Sequence, residues 1–372
     1  VSSKQAGYPA RSLSSLFSFF NPFNLGVGEM RLGVCYNVFD SEELLEGSIR
    51  SVRQSVDHVV VVYQTTSNFG QACRPCLVSH LSRLEEEGLV DELIAYSPPA
   101  VLSDTDVLCC LSKDFDYGAM GADEKRGVTK GEATKALARQ YVHETRKREI
   151  GRKALARVGC THFLCMDCDE YYLEAELEWM KKEVEEKKYL ATACRMRFFF
   201  KSFSLELMPR EDKNAVPCIC EIREECPFRL QAACPVELDP TRRLENTSHS
   251  FRLFERGEVE MFHYSFVRHD IAMKINNVSN KGNLDFVEGF EKAFWLWEEG
   301  EPPLHPHPHY RSHFKAVERV EPAFPISLLK ICRHCCKSAA STCSKCRKVV
   351  YCSAACQRAD WPRHKRECGW KK

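Results

Sequence analysis

From Met30 onward, short apolar runs alternate with polar punctuation. Arg31–Tyr36 (RLGVCY) and His58–Tyr63 (HVVVVY) have the length and β-branched content of buried strands. Between them, Ser41–Ser55 spaces its apolar positions for a helix, with Asp40 or Ser41 as N-cap. Helical spacing returns at Cys76–Glu87, Leu93–Tyr96 offers a third short strand, and a long helical pattern at Gly131–Val158 leads into the strand His162–Met166. Glu174–Lys188 is a charged amphipathic helix. Leu190–Phe200 and further segments up to Arg223 suggest sheet of mixed direction. Met261–Val267 is another strand candidate, and Phe286–Trp297 a helix with aromatic anchors. Pro302–His309 is a turn-rich connector. This alternation predicts an α/β layered domain with a largely parallel sheet. Residues 97–130 are polar with weak periodicity and are expected to form a long loop over a site. Residues 1–29 read as a disordered leader. No run of 18 apolar residues occurs, so no transmembrane helix is expected.

Composition changes this picture mainly at the C-terminus. The 372 residues suggest two or three units, and 44% hydrophobic content supports a sizeable core. The formal charge of +1 hides an asymmetry, because residues 330–372 carry 12 Lys/Arg against 2 Asp/Glu while the remainder is acidic. Of 21 cysteines, eight fall after residue 331 at tight spacings, and the others are scattered through apolar segments. That distribution favours a reducing, intracellular setting, cytoplasmic first, with metal binding at the C-terminus rather than disulfides. The sequence opens on Val1, so a nuclear or organellar address encoded upstream stays open. Cys73-x2-Cys76 and Cys165-x2-Cys168 have redox-like spacing but lack a thioredoxin-like setting.

The strongest chemical pattern is Cys332-x2-Cys335-x7-Cys343-x2-Cys346-x5-Cys352-x3-Cys356-x7-His364-x3-Cys368. Eight such ligands meet the demand of two tetrahedral Zn²⁺ ions with no open position. The i, i+4 pairs Cys352/Cys356 and His364/Cys368 each fit one face of a short helix, with Asp360 able to cap the second and Pro362 suited to its first turn. With Tyr351 before Cys352 and the Cys-Gln-Arg-Ala-Asp-Trp run from Cys356, the segment resembles the MYND-type zinc finger over about 37 residues. The resemblance implies interleaved ligation, with Cys332, Cys335, Cys352 and Cys356 on one ion and Cys343, Cys346, His364 and Cys368 on the other. It also implies a protein partner carrying a proline-containing peptide. Cys336 and His334 are surplus to the eight ligands and read as a bystander thiol and an exposed imidazole. The basic charge here also offsets thiolate charge, so nucleic acid is not the expected partner.

A second candidate lies where the strand His162–Met166 ends in Asp167-Cys168-Asp169-Glu170. Ligand sites in open α/β sheets lie beyond the carboxyl ends of strands, so this acidic cluster has the address of a site. The segments Val34–Asn37, Val59–Thr66, Arg148–Gly151 and Cys160–Asp169 follow the order seen in GT-A glycosyltransferases, and residues 30–200 resemble that fold's nucleotide-sugar half. The resemblance implies that Asp167 and Asp169 bind Mn²⁺ or Mg²⁺ bridging a nucleoside diphosphate. Arg148 would approach the nucleotide or diphosphate, and His263 would be a third metal ligand. Glu211, Asp212, Glu224 and Glu225 are undivided candidates for a base, so the catalytic residues stay unassigned.

Together these features describe a GT-A-like α/β domain at residues 30–326, with a mixed, largely parallel sheet and flanking helices, followed by a two-zinc MYND module at 329–372. The first functional reading is a metal-dependent glycosyltransferase using a nucleotide-sugar donor, with the finger as a protein-docking module. The second is a non-catalytic adaptor or scaffold.

Overall fold

The computed structural model describes residues 29–99, 102–103, 107, 109–112, 130–268, 270–277, 290–306, 308–324, 332–337, 339, 341–346 and 349–368. The expected leader, and most of the expected loop at 97–130, lie outside them.

Strands β1 (Leu32–Val38), β2 (His58–Tyr63), β3 (Glu92–Ala95) and β4 (His162–Asp167) run parallel in the spatial order β3-β2-β1-β4. Helices α1 (Glu42–Val52), α2 (Leu77–Glu86) and the long α3 (Lys130–Arg157) connect them. Both faces are covered, and the strands alternate accordingly. Leu32, Val34, Tyr36 and Val38 of β1, with Val59 and Val61 of β2, join the core under α1 and α2. Cys35, Val60 and Val62 point the other way, toward Ala154 and Leu155 of α3. Burial on both faces explains why Val59–Val62 form an unbroken apolar run.

The chain then passes β5 (Glu170–Tyr171) and α4 (Glu174–Lys187) into β6 (Ala191–Phe200), β7 (Leu205–Met208), β8 (Asn214–Glu221) and β9 (Glu237–Leu238). It continues through β10 (Phe251–Phe254), β11 (Glu260–Phe266), α5 (Ile271–Asn277), α6 (Phe290–Leu296), α7 (Pro308–His313) and β12 (Ala316–Arg319). The main path runs β12-β7-β6-β8-β4-β1-β2-β3, with β8 antiparallel to both β4 and β6. The sheet is therefore mixed, and its first half is parallel. No helix among the described residues is long and apolar enough to cross a membrane.

Several boundaries differ from the sequence expectation. The first helix stops at Val52 and tightens into a 3₁₀ turn at Arg53–Ser55. Ser41 holds the N-cap position without capping: its φ is 69° and its hydroxyl bonds Asp40 Oδ1 at 3.1 Å. The supposed connector at 302–309 ends inside a helix, because α7 begins at Pro308, a residue suited to a first helical turn.

α3 lies so close to β1 that residue 151 must be glycine. A Cβ there would stand 2.7 Å from Cys35 Cβ and 2.9 Å from its sulfur. Gly151→Ala should therefore cost about 1–3 kcal/mol by overpacking. Urea unfolding checks this, and an unchanged midpoint would show that the helix can lift off the sheet freely.

Candidate functional site

The order in which strands join the sheet reverses between β1 and β4, which run parallel. From β1 the chain moves outward to β2 and β3, and α3 then carries it back to the other side of β1. Beyond the carboxyl ends of these strands lies a cavity of about 860 Å³. Its lining includes Asn37 at the end of β1 and Asp40 after it, Gln64 and Asn68 after β2, Arg148 from α3, the run Asp167–Glu170, and His263 from β11. Arg148, Asp167, Asp169 and His263, singled out from the sequence, all face this one space.

Pairing of β5 with β11 does the assembly. It sets His263 opposite Glu170, and the Tyr264 N–H donates to the Asp169 carbonyl at 2.7 Å. His263 Nε2 then stands 3.7 Å from Asp169 Oδ1. Asp169 Oδ2 pairs with Arg268 and, at 3.4 Å, with Lys274 Nζ of α5. Asp167 belongs to a separate set. Its Oδ1 meets Arg148 Nη2 at 3.4 Å and its Oδ2 meets Arg242, which also donates to Glu170 at 2.6 and 3.0 Å.

These contacts divide the acids electrostatically. Burial opposes ionisation of Asp167, but Arg242 and Arg148 outweigh it and hold the carboxyl down to about 2. Asp169 is likewise held far below the usual carboxylate range by Lys274, Arg268 and His263, against its burial. Glu170 goes the other way, because burial outweighs Arg242 and raises it to about 7. Burial also lowers His263 to about 4, against the pull of Asp169, so the imidazole is neutral near neutral pH.

Asp169, Glu170 and His263 each offer one ligand atom, all within 4.8 Å of one another. Carboxylate oxygens with a neutral imidazole are a fitting donor set for Mn²⁺ or Mg²⁺. Asp167 lies outside that group, held by its two arginines.

Sequence reasoning missed Arg242, Arg268 and Lys274. Arg242 closes a 3₁₀ turn, Pro240–Arg242, 75 positions from Asp167. Nothing local announces it. Arg268 sits just past the aromatic strand β11 and meets Asp169 across 99 positions. None of the base candidates is among the residues lining the cavity. Glu211 accepts the backbone N–H groups of Lys213 and Asn214, Asp212 pairs with Arg256, and Glu224 and Glu225 are exposed.

The C-terminal cysteines form two sets, each with its ligand atoms within 4.8 Å: Cys332, Cys335, Cys352 and Cys356, then Cys343, Cys346, His364 and Cys368. Within them Cys335 and Cys352 sulfurs are 3.4 Å apart, Cys352 and Cys356 3.5 Å, and Cys343 and Cys368 3.9 Å. His364 Nε2 lies 3.5 Å from Cys346 Sγ. Strands β13 (Ser341–Thr342) and β14 (Val350–Tyr351) pair as a short hairpin, and α8 (Ala354–Cys368) follows. Two closed tetrads of these donors fit two structural zinc ions. One expectation fails here: α8 is a single helix, with Pro362 inside it and Asp360 capping nothing. The Asp360 carboxylate is engaged instead by Tyr351 Oη at 2.7 Å and Arg363 Nη2 at 2.8 Å.

Residues 332–368 match the family model described as MYND finger. This segment is a MYND finger. It is 51% identical over 37 residues to N-lysine methyltransferase SMYD2-A of Danio rerio, a match spanning 9% of this chain and 8% of that protein. Deformed epidermal autoregulatory factor 1 of Drosophila melanogaster is 51% identical over 39 residues, 10% of this chain and 7% of the relative. Thus the chain spans less than a tenth of the length of these two relatives. Among solved structures, S. aureus TarS 1-349 is similar over 71% of this chain and 69% of its own, at 12% identity and a TM-score of 0.35. The same protein in complex with UDP-GlcNAc gives 10% identity, 71% and 70% coverage, and a TM-score of 0.34. Against the longer TarS structure, coverage of that chain is 42%.

The finger sits against the α/β sheet domain at named contacts. Arg363 Nη1 reaches Asp270 Oδ2 at 2.6 Å, Arg74 Nη1 donates to the Arg333 carbonyl at 3.3 Å, and Cys76 and Cys336 sulfurs lie 3.5 Å apart. Cys336 is therefore not the bystander expected from sequence. With Arg333, it meets the loop before α2.

Proposed function

We propose that residues 30–326 are a metal-dependent glycosyltransferase with a nucleotide-sugar donor, and that the finger at 329–372 docks a protein bearing a proline-containing peptide. The observation that carries this reading is the cavity where the strand order reverses, with Asp169 and His263 3.7 Å apart in its lining and Arg148, Arg242, Arg268 and Lys274 lining it as well. Its volume of about 860 Å³ suits a ligand of nucleotide-sugar size. Asp169, Glu170 and His263 would hold Mn²⁺ or Mg²⁺, and the ion when bound would offset the charge of a departing diphosphate.

The chain's own residues divide the remaining work. Arg148, fixed by its 3.1 Å contact to Cys165 Sγ and its pairing with Asp167, presents an immobile guanidinium to an anion. Lys274 approaches from the α5 side. Asp167 and Asp169 stay ionised near neutral pH, and Glu170, which burial otherwise raises to about 7, would be held in its carboxylate form by a bound cation. One observation favours the scaffold reading: both aspartates already have cationic partners within the protein.

A thermal-shift panel of nucleotide sugars, each with and without Mn²⁺ or Mg²⁺, separates the two. A binder at a hundredfold its dissociation constant adds about 2.7 kcal/mol of apparent stability. The enzyme reading expects a metal-dependent rise for one nucleotide class. No rise with any nucleotide and either ion would leave the scaffold.

A further inference from the structure

Where the finger meets the loop before α2, three potential ligands converge outside both zinc tetrads and outside the cavity. Cys336 follows the ligand Cys335 and turns away from the tetrad through a left-handed backbone, φ 57°. Its sulfur lies 3.5 Å from that of Cys76, which in turn lies 3.6 Å from Glu42 Oε1 at the start of α1. One ligand atom from each of Glu42, Cys76 and Cys336 falls within 4.8 Å of the other two. Cys336 and Glu42 are 1% and 0% exposed.

We propose that Glu42, Cys76 and Cys336 bind a third soft divalent cation, Zn²⁺, which pins the finger to the α/β domain.

Three observations support the site. The first is spacing. A tetrahedral ion with Zn–S near 2.3 Å and Zn–O near 2.0 Å sets its ligands roughly 3.5–3.8 Å apart. The Cys76–Cys336 separation also falls inside the 3.4–3.9 Å spanned by sulfur pairs in the finger's own tetrads. The second is an orphan. Arg74 Nε takes Glu42 Oε1 at 2.5 Å, but Glu42 Oε2 is buried without a hydrogen-bond partner. A buried carboxylate oxygen left unpaired is costly, and a cation removes that cost. The third is chemistry. Two thiolates and a carboxylate make a donor set that Zn²⁺ accepts, with a fourth position left for water. Cys73, three positions before Cys76, is a further thiol on the same loop.

Elemental analysis of the full chain, equilibrated with micromolar Zn²⁺ beside a weak chelator, tests this directly. Three zinc ions per chain are expected. Cys76→Ser lies outside the finger and should lower the count to two, whereas Cys109→Ser, at an exposed cysteine, should leave three. Should Cys76→Ser fail to fold, Glu42→Gln provides the second variant, again with two expected. A wild-type count of two overturns the site, as does a count of three that Cys76→Ser and Glu42→Gln leave unchanged. A peroxide arm covers the other chemistry open to these thiols. Two S–H bonds would break and one S–S bond form, with both electrons and protons reducing hydrogen peroxide to two waters. Rapid Cys76–Cys336 crosslinking in a chain holding only two zinc ions would make the pair a redox couple and overturn the proposal. Crosslinking blocked by added Zn²⁺ supports it. The proposal is independent of glycosyl transfer.

Discussion

Stripping zinc from the full chain should melt residues 332–368 while leaving the sheet domain folded. The finger has almost no core apart from its ligands: its buried apolar cluster is Cys332, Cys343, Cys368, Ala339, Val349 and Tyr351. Strands β13 and β14 contribute two residues each, too little for an independent sheet. Folding free energy must then come from the metal, and apparent binding energies of about 10–16 kcal/mol for structural Zn²⁺ in zinc-finger peptides set the scale. Limited proteolysis with and without a chelator checks this. New cleavage is expected between Cys332 and Cys368, and none among β1–β4. An unchanged digest would mean that side-chain packing alone holds the finger.

The second large effect is expected at Asp169. Asp169→Ala should destabilise the chain by about 3–5 kcal/mol, because Arg268, whose side chain is 2% exposed, would lose its paired carboxylate in a buried site. Asp167→Ala should cost clearly less. The Asp169 side chain is 3% exposed and that of Asp167 36%, and Glu170 remains to pair with Arg242 once Asp167 is gone. Urea unfolding of both variants checks the order, and equal losses would contradict it. The pH dependence has a definite sign. Asp169 is depressed in the folded state, so its contribution is complete above the unfolded value near 3.8 and is lost as pH falls toward the folded one. The deficit of Asp169→Ala should therefore be full at neutral pH and shrink below about 3.8. Lost activity in that variant would not by itself identify a metal ligand. Asp169→Asn, which keeps the shape and one acceptor oxygen, is the better probe of chemistry.

Much of the first half of the fold was legible because its signals are local. HVVVVY buries all four of its valines, and β2 spans those six residues and no others. Zinc ligands were legible for the same reason, since spacing alone brings Cys332 to Cys335 and Cys343 to Cys346. What failed depended on distant partners. Asp360 and Pro362 carry valid helix-start signals, yet Tyr351 and Arg363 occupy the carboxylate and the helix runs through. Arg242 and Arg268 reach the acidic floor only after the chain has folded back 75 and 99 positions. Cys336 meets Cys76 across 260 positions, a separation at which sequence periodicity says nothing.

The ion pair between Arg363 and Asp270 joins the finger to the residue just before α5. Asp270 also accepts the Met273 N–H at 3.0 Å, so one carboxylate both seats the first turn of α5 and is gripped by the finger. One turn further along, the same short helix carries Lys274 to Asp169. A partner that draws Arg363 away would loosen the anchorage of the lysine that helps to balance the cavity floor. The seating of the finger and the placement of Lys274 are thereby tied to a single carboxylate, Asp270.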